Sequence, residues 1–137
     1  MNGNPEAQPP AADSNELGPE WEEVGNEVLL TLVRNSLRQD ILTNVTVARG
    51  YHELSRMAGS KNPTKQEENY QLGQKHLDAT GAKVSALADI LYRDLTYGTQ
   101  MLPIDRTNEK IPVINLDLWI QQRQKETDQK AGQNPPA

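Results

Sequence analysis

Four arginines in the first half of the chain are the side chains whose type and spacing most directly suggest binding chemistry. They are Arg34, Arg38, Arg49 and Arg56. On an unbroken helix they fall within about 60° of one another and span roughly 33 Å. A guanidinium binds carboxylate or phosphate through two parallel hydrogen bonds. Three interpretations stay open: a solvated face, an interface with acidic residues of another copy or partner, or contact with nucleic-acid phosphates, which the nearby Glu23 and Glu27 disfavour.

Catalytic and metal-binding patterns are weak by comparison. The chain has two histidines, His52 and His76, in different predicted helices, and no recognised catalytic motif. Asp89 lies four residues before Arg93, a spacing typical of an ordinary ion pair on a helix surface. With no cysteine, thiolate chemistry and disulfides are excluded. We therefore expect no enzymatic activity, no bound metal and no cofactor.

The strongest pattern is a seven-residue repeat in the second half of the chain. Its apolar members are Tyr70, Leu77, Val84 and Leu91, and four residues after each come Gln74, Gly81, Ala88 and Leu95. This spacing predicts a long helix with a packing seam, beginning after Asn62-Pro63 and ending at Gly98. Gly81 costs a helix about 1 kcal/mol relative to alanine, which close approach of another helix would offset. We predict an oligomer interface formed by Tyr70, Leu77, Gly81, Val84, Ala88, Leu91 and Leu95.

A second helical segment precedes this one, from Pro19 to about Gly59. Its acidic start suits the positive end of a helix dipole, and its apolar side is too broad for one neighbour to cover. The stretch Thr43–Val47 is β-branched and Gly50 follows it, so we expect a kink or a shift of the packing seam there. The short connection Gly59–Lys61 predicts that the two helices form an antiparallel hairpin.

Beyond Gly98 the pattern changes to short apolar stretches around Pro103 and Pro112. These prolines restrict strand pairing, so we expect an extended arm that ends in a short helix. The apolar patch on this arm is typical of an anchor in a partner's pocket. The predicted anchor residues are Ile114, Leu116, Trp119 and Ile120.

The composition sets the remaining limits. Of 137 residues, 35% are hydrophobic and none is phenylalanine, so the core must be aliphatic and helical or be completed by another copy. The first 33 residues hold seven acids and no Lys or Arg. No apolar run approaches the 20 or so residues of a membrane span, and the start does not resemble a signal peptide. We expect a cytoplasmic or virion location without membrane contact.

Together these patterns predict an all-α chain built on a long, coiled-coil-like antiparallel hairpin. Its parts are a disordered acidic arm (1–18), the hairpin (19–98), an extended arm with a short helix (99–130) and a disordered tail (131–137). This layout resembles that of small virion or packaging proteins of tailed bacteriophages, although no family signature matches residue by residue. We expect a non-enzymatic structural protein that forms a homo-oligomer and binds other structural proteins through its C-terminal arm. The alternative is a nucleic-acid-handling packaging adaptor resembling a phage small terminase subunit.

Overall fold

The computed structural model describes residues 18–133 of the chain. In chain order its elements are strand β1 (Trp21–Gly25), helix α1 (Asn26–Ser36), a π-helical turn (Leu37–Ile41), helix α2 (Leu42–Ala58), a 3₁₀ turn (Gly59–Lys61), helix α3 (Pro63–Tyr97), strand β2 (Thr99–Asp105), strand β3 (Val113–Ile114) and helix α4 (Leu116–Gln133). The segments predicted to be disordered, 1–18 and 131–137, lie outside the described residues except for Gly18 and the end of α4.

The three strands form a small antiparallel sheet in the order β1-β2-β3. Trp21 lies opposite Pro103 in the β1–β2 pair, and Ile104 lies opposite Ile114 in the β2–β3 pair. Pro103 has no N–H to donate, and it stands where β2 changes from one neighbour to the other. Its carbonyl oxygen still accepts the backbone N–H of Asn115 at 2.8 Å. Pro103 therefore fits inside the sheet at this position, although it has no backbone N–H to donate.

A side-chain clamp joins β1 to the residue that follows β2. The guanidinium of Arg106 donates two hydrogen bonds of 2.8 Å to the carboxylate of Glu22. These hydrogen bonds, helped by the positive charge of Arg106, lower the pKa of Glu22 below its usual value. The pair ties together segments that are far apart in the sequence.

Local signals set both ends of α3, and the predicted bounds of this helix are confirmed. The side chain of Asn62 accepts the backbone N–H of Lys65 at 3.2 Å, and Pro63 occupies the first turn. At the other end, Gly98 has a φ of 86°, a value that suits glycine, and its N–H donates to the carbonyl of Asp94. None of the helices within residues 18–133 is long and apolar enough to cross a membrane.

The hydrophobic core lies where the sheet, α1, the C-terminal half of α3 and the start of α4 meet. Its most deeply buried large side chains are Leu29, Leu32, Ile90, Leu102, Ile114 and Leu116. Ser36 on α1 is also fully buried, and its hydroxyl accepts the backbone N–H of Ile114 at 2.9 Å. Nearby, the amide of Asn35 donates to the carbonyl of Pro112 at 2.8 Å. Helix α1 thus holds the returning chain through both apolar and polar contacts.

The prediction of an all-α fold built on a long helical hairpin is therefore wrong. Residues 21–25, predicted to lie in the first helix, are a strand, and helix begins only at Asn26. The acids Glu22 and Glu23 resemble a helix N-terminus in sequence, but pairing with β2 determines their conformation. The broad apolar side of the first helical segment is covered in part by the sheet and the start of α4.

The predicted partner anchor is also corrected, because its residues belong to this chain's own core. Ile114 and Leu116 are each 1% exposed and Trp119 is 7% exposed, while Ile120 packs against the same cluster. The arm does not extend into solvent at this point. It folds back because β3 pairs with β2 and brings the first turn of α4 onto α1 and α3.

Candidate self-association face on α3

One side of α3 carries apolar side chains that the described residues leave largely exposed. We call it the free face, and it consists of Tyr70, Leu77, Gly81, Val84, Ala88 and Leu95. Leu95 is 86% exposed and Val84 is 47% exposed. Within residues 18–133, no atom outside the adjoining backbone of the helix lies within 4 Å of a Cβ atom added at Gly81. These are the residues of the predicted oligomer interface except Leu91, which packs against the core.

The rest of the chain packs on α3 along a neighbouring stripe, one residue earlier in each heptad. Gly73, Thr80 and Leu87 are buried on that stripe. Because consecutive helical residues are rotated by about 100°, the two stripes lie on adjacent sides of the same helix. Helix α3 thus has one seam that other described residues fill and a second, more apolar seam that they leave largely exposed.

An ion pair forms the centre of the filled seam. The ammonium of Lys83 donates to the carboxylate of Asp40 at 2.7 Å, with side chains only 11% and 23% exposed. Asp40 belongs to the π turn and also accepts the side-chain amide of Asn44 at 2.9 Å. The carboxylate of Asp117, on α4, lies 3.8 Å from the same ammonium. Lys83 therefore joins three parts of the chain and fixes their alignment.

Both histidines are packing groups in the contact between α2 and α3. Nδ1 of His76 lies 3.1 Å from the side-chain oxygen of Asn44, and the ring of Tyr51 stacks on His76 at a centroid distance of 5.7 Å. His52 stacks on Tyr70 at 5.3 Å. Within the described part of the chain, no three His, Asp or Glu side chains come together as a metal site.

Gly73 marks the closest approach between α2 and α3. A Cβ atom at this position would collide with the ring of His52. Gly81 has no such neighbour in the described part of the chain. The two glycines of α3 therefore differ: Gly73 makes room for α2, whereas the space beside Gly81 is not filled by any described residue.

The four candidate anion-binding arginines do not form one continuous stripe. Arg38 lies within the π turn, Arg34 before it, and Arg49 and Arg56 after it, so the turn changes the helical phase along the set. All four are exposed. Arg56 also forms an ion pair with Glu53, and the hydrogen bond from Arg56 lowers the pKa of Glu53. Their contact with nucleic acid or another anion stays a prediction.

Sequence reasoning did not find the Lys83–Asp40 pair or the role of Gly73. The partners of Lys83 and Gly73 lie on α2 or the π turn, and no local spacing in the sequence links them. Comparisons with protein-family models, with curated proteins and with solved structures gave no match to this chain.

Proposed function

We propose that this protein is a non-enzymatic assembly protein that self-associates through the free face of α3. The observation that carries the proposal is the exposure of a heptad-spaced apolar stripe on a helix whose adjacent stripe already packs against its own chain. Isolated exposed apolar residues are normal on protein surfaces, but a contiguous stripe marks an interaction site.

The length and spacing of the free face support a helix as its occupant. From Tyr70 to Leu95 it extends about 38 Å at 1.5 Å per residue. Seven-residue spacing along such a length keeps the apolar side chains directed at a partner helix. Three of its large side chains, Leu77, Val84 and Leu95, are 38%, 47% and 86% exposed, so each has surface left to bury.

Gly81 and Ala88 give independent support. A glycine inside a helix costs about 1 kcal/mol relative to alanine. Among the residues that the structure describes, none approaches Gly81 closely enough to require a glycine there. Close packing of a second helix against Gly81 and Ala88 would give these small residues a function.

The alternative of a nucleic-acid-handling adaptor has less support. It relied on a continuous arginine stripe, which the π turn interrupts, and Arg56 already pairs with Glu53. A bacteriophage virion role, and a location in the cytoplasm or in a particle, stay predictions. The proposal does not extend to a partner contact through Trp119, because that side chain is buried in the core.

The test compares two valine-to-glutamate variants of nearly equal exposure. Val84 lies on the free face and is 47% exposed, whereas Val28 lies on α1 and is 51% exposed. We expect Val84→Glu to convert the oligomer into a folded monomer, because it places a charge inside the apolar contact. Val28→Glu should keep the wild-type mass. Light scattering and circular dichroism measure mass and folding, and a wild-type monomer or equal masses for the two variants would refute the proposal.

A further inference from the structure

We infer that the second copy lies antiparallel on the free face, with a two-fold axis crossing α3 between Ala82 and Lys83. This inference rests on the proposed self-association and adds its direction and register. It places α3 of one copy against α3 of the other in an isologous contact, in which the same surface serves both partners.

The free face is complementary to the same face of a second α3 that runs in the opposite direction. In an antiparallel pair, each member of one heptad set packs against a member of the other set. Centred between Ala82 and Lys83, the pairing matches every residue of the free face with another. The resulting pairs are Tyr70 with Leu95, Leu77 with Ala88, and Gly81 with Val84.

The sizes of the paired side chains fit this direction. Leu77 meets Ala88 and Val84 meets Gly81, so a large side chain faces a small one at both central pairs. In a parallel, in-register pair, Gly81 would face Gly81 and Ala88 would face Ala88. Two small residues face to face leave a void, which costs stability because the lost contacts are not replaced.

Charge beside the seam selects the register. The residues immediately flanking the seam on its outer side are Gln71, Asp78, Ser85 and Tyr92, of which only Asp78 is charged. In the centred register Asp78 of one copy lies beside Ser85 of the other, whose hydroxyl is a donor for the carboxylate. A shift of one heptad in one direction would place Asp78 beside Asp78, and like charges in contact are unfavourable. The opposite shift would leave Tyr70 beyond the end of the partner's α3.

The rest of the fold leaves this face accessible. Helix α4 approaches α3 on the side of Ala86 and Asp89, where Asp89 lies 3.8 Å from the guanidinium of Arg123, and Ser85 is an exposed residue at the edge of the same cleft. Helix α2 occupies the stripe of Gly73 and Thr80. The free face lies between these two contacts.

The experiment measures distances between spin labels attached to single cysteines in the full chain, which has no cysteine of its own. Gln71→Cys and Ser85→Cys are a matched pair, because both sites are exposed and flank the seam at the same heptad position. In the antiparallel dimer, the two copies of position 71 are displaced along the helix by about 35 Å and those of position 85 by only about 8 Å. In a parallel dimer both displacements are near zero.

A long distance at position 71 with a short one at position 85, in a protein of dimeric mass, supports the inference. Short distances at both positions in a dimer would overturn the antiparallel direction and leave the proposed self-association standing. Long distances at both positions in a dimer would show that another surface pairs, and would overturn both. A monomeric mass with no dipolar signal would likewise overturn both the inference and the proposed function.

Discussion

Gly73 and Gly50 are both interior glycines of helices, and the same substitution to alanine should affect them in opposite directions. Gly50, on α2, is exposed, and outside the adjoining backbone of the helix none of the described residues lies within 4 Å of a Cβ added there. Gly73, on α3, is buried, and a Cβ there would collide with the ring of His52. Both substitutions bring the same gain in helix propensity. The difference between their effects on the free energy of unfolding therefore measures the contact between α2 and α3.

The magnitude follows from two opposing terms. Alanine in place of glycine stabilises a helix interior by about 1 kcal/mol, which is the expected effect of Gly50→Ala. At Gly73 the added methyl group must displace a ring that is itself stacked on Tyr70 at 5.3 Å. Overpacking of this kind costs about 1 to 3 kcal/mol. We expect Gly73→Ala to lower the free energy of unfolding by up to about 2 kcal/mol.

Urea unfolding followed by far-UV circular dichroism measures both variants, with an unchanged dependence on denaturant as the control for two-state behaviour. Adding His52→Ala to Gly73→Ala should make the alanine at position 73 less costly, because the obstructing ring is gone. Equal stabilisation by Gly73→Ala and Gly50→Ala would refute the close approach. The close approach would also be refuted if the effects of His52→Ala and Gly73→Ala on the free energy of unfolding simply add in the double variant.

Three further perturbations test other parts of the fold. Leu116→Ala should cost about 2 to 5 kcal/mol in urea unfolding, because the side chain is 1% exposed, and a loss below about 0.5 kcal/mol would place it outside the core. Lys83→Met should lower the free energy of unfolding by about 3 kcal/mol, because it leaves the carboxylate of Asp40 without its ion-pair partner. The double variant with Asp40→Leu should recover much of this loss. No recovery would mean that the ion pair stabilises the fold more than apolar contacts in its place. Glu22→Gln should be less stable than wild type at pH 7. Arg106 lowers the pKa of Glu22 in the folded chain. The difference in stability between wild type and Glu22→Gln should therefore shrink as the pH falls below about 4.3, the usual pKa of a glutamate, and disappear as the pH falls through the lowered pKa. A difference that does not depend on pH would contradict the clamp.

The sequence predicts α3 well because the signals that bound it are local. Asn62 and Pro63 begin the helix, and Gly98 ends it with a positive φ. Strand β1 is a different case. Glu22 lies opposite Leu102, so the conformation of β1 depends on residues far along the chain, and no pattern within the strand itself shows that pairing.

The choice between two seams on α3 shows a second limit of periodicity. The filled seam includes Gly73, Thr80 and Lys83, which do not read as a hydrophobic stripe. Its polar residue Lys83 can be buried because Asp40, from another part of the chain, accepts a hydrogen bond from the ammonium group. Hydrophobic spacing therefore identifies the free face and misses the seam that builds the fold.

The buried C-terminal patch shows a third limit. A short apolar segment between prolines is compatible with an exposed anchor or with a core element. Two contacts identify the segment as a core element: β3 pairs with β2, and the backbone N–H of Ile114 donates a buried hydrogen bond to the hydroxyl of Ser36. Truncation after Gly98 should therefore unfold the chain, because it removes Leu102 and Leu116 from the core.

The mass of the full chain in solution tests the central claim most directly. Sedimentation equilibrium at tens of micromolar protein should give twice the chain mass of 15.3 kDa, with dissociation on dilution as expected for a self-associating protein. A folded species that keeps a mass of 15.3 kDa over the whole concentration range would contradict self-association through the free face of α3.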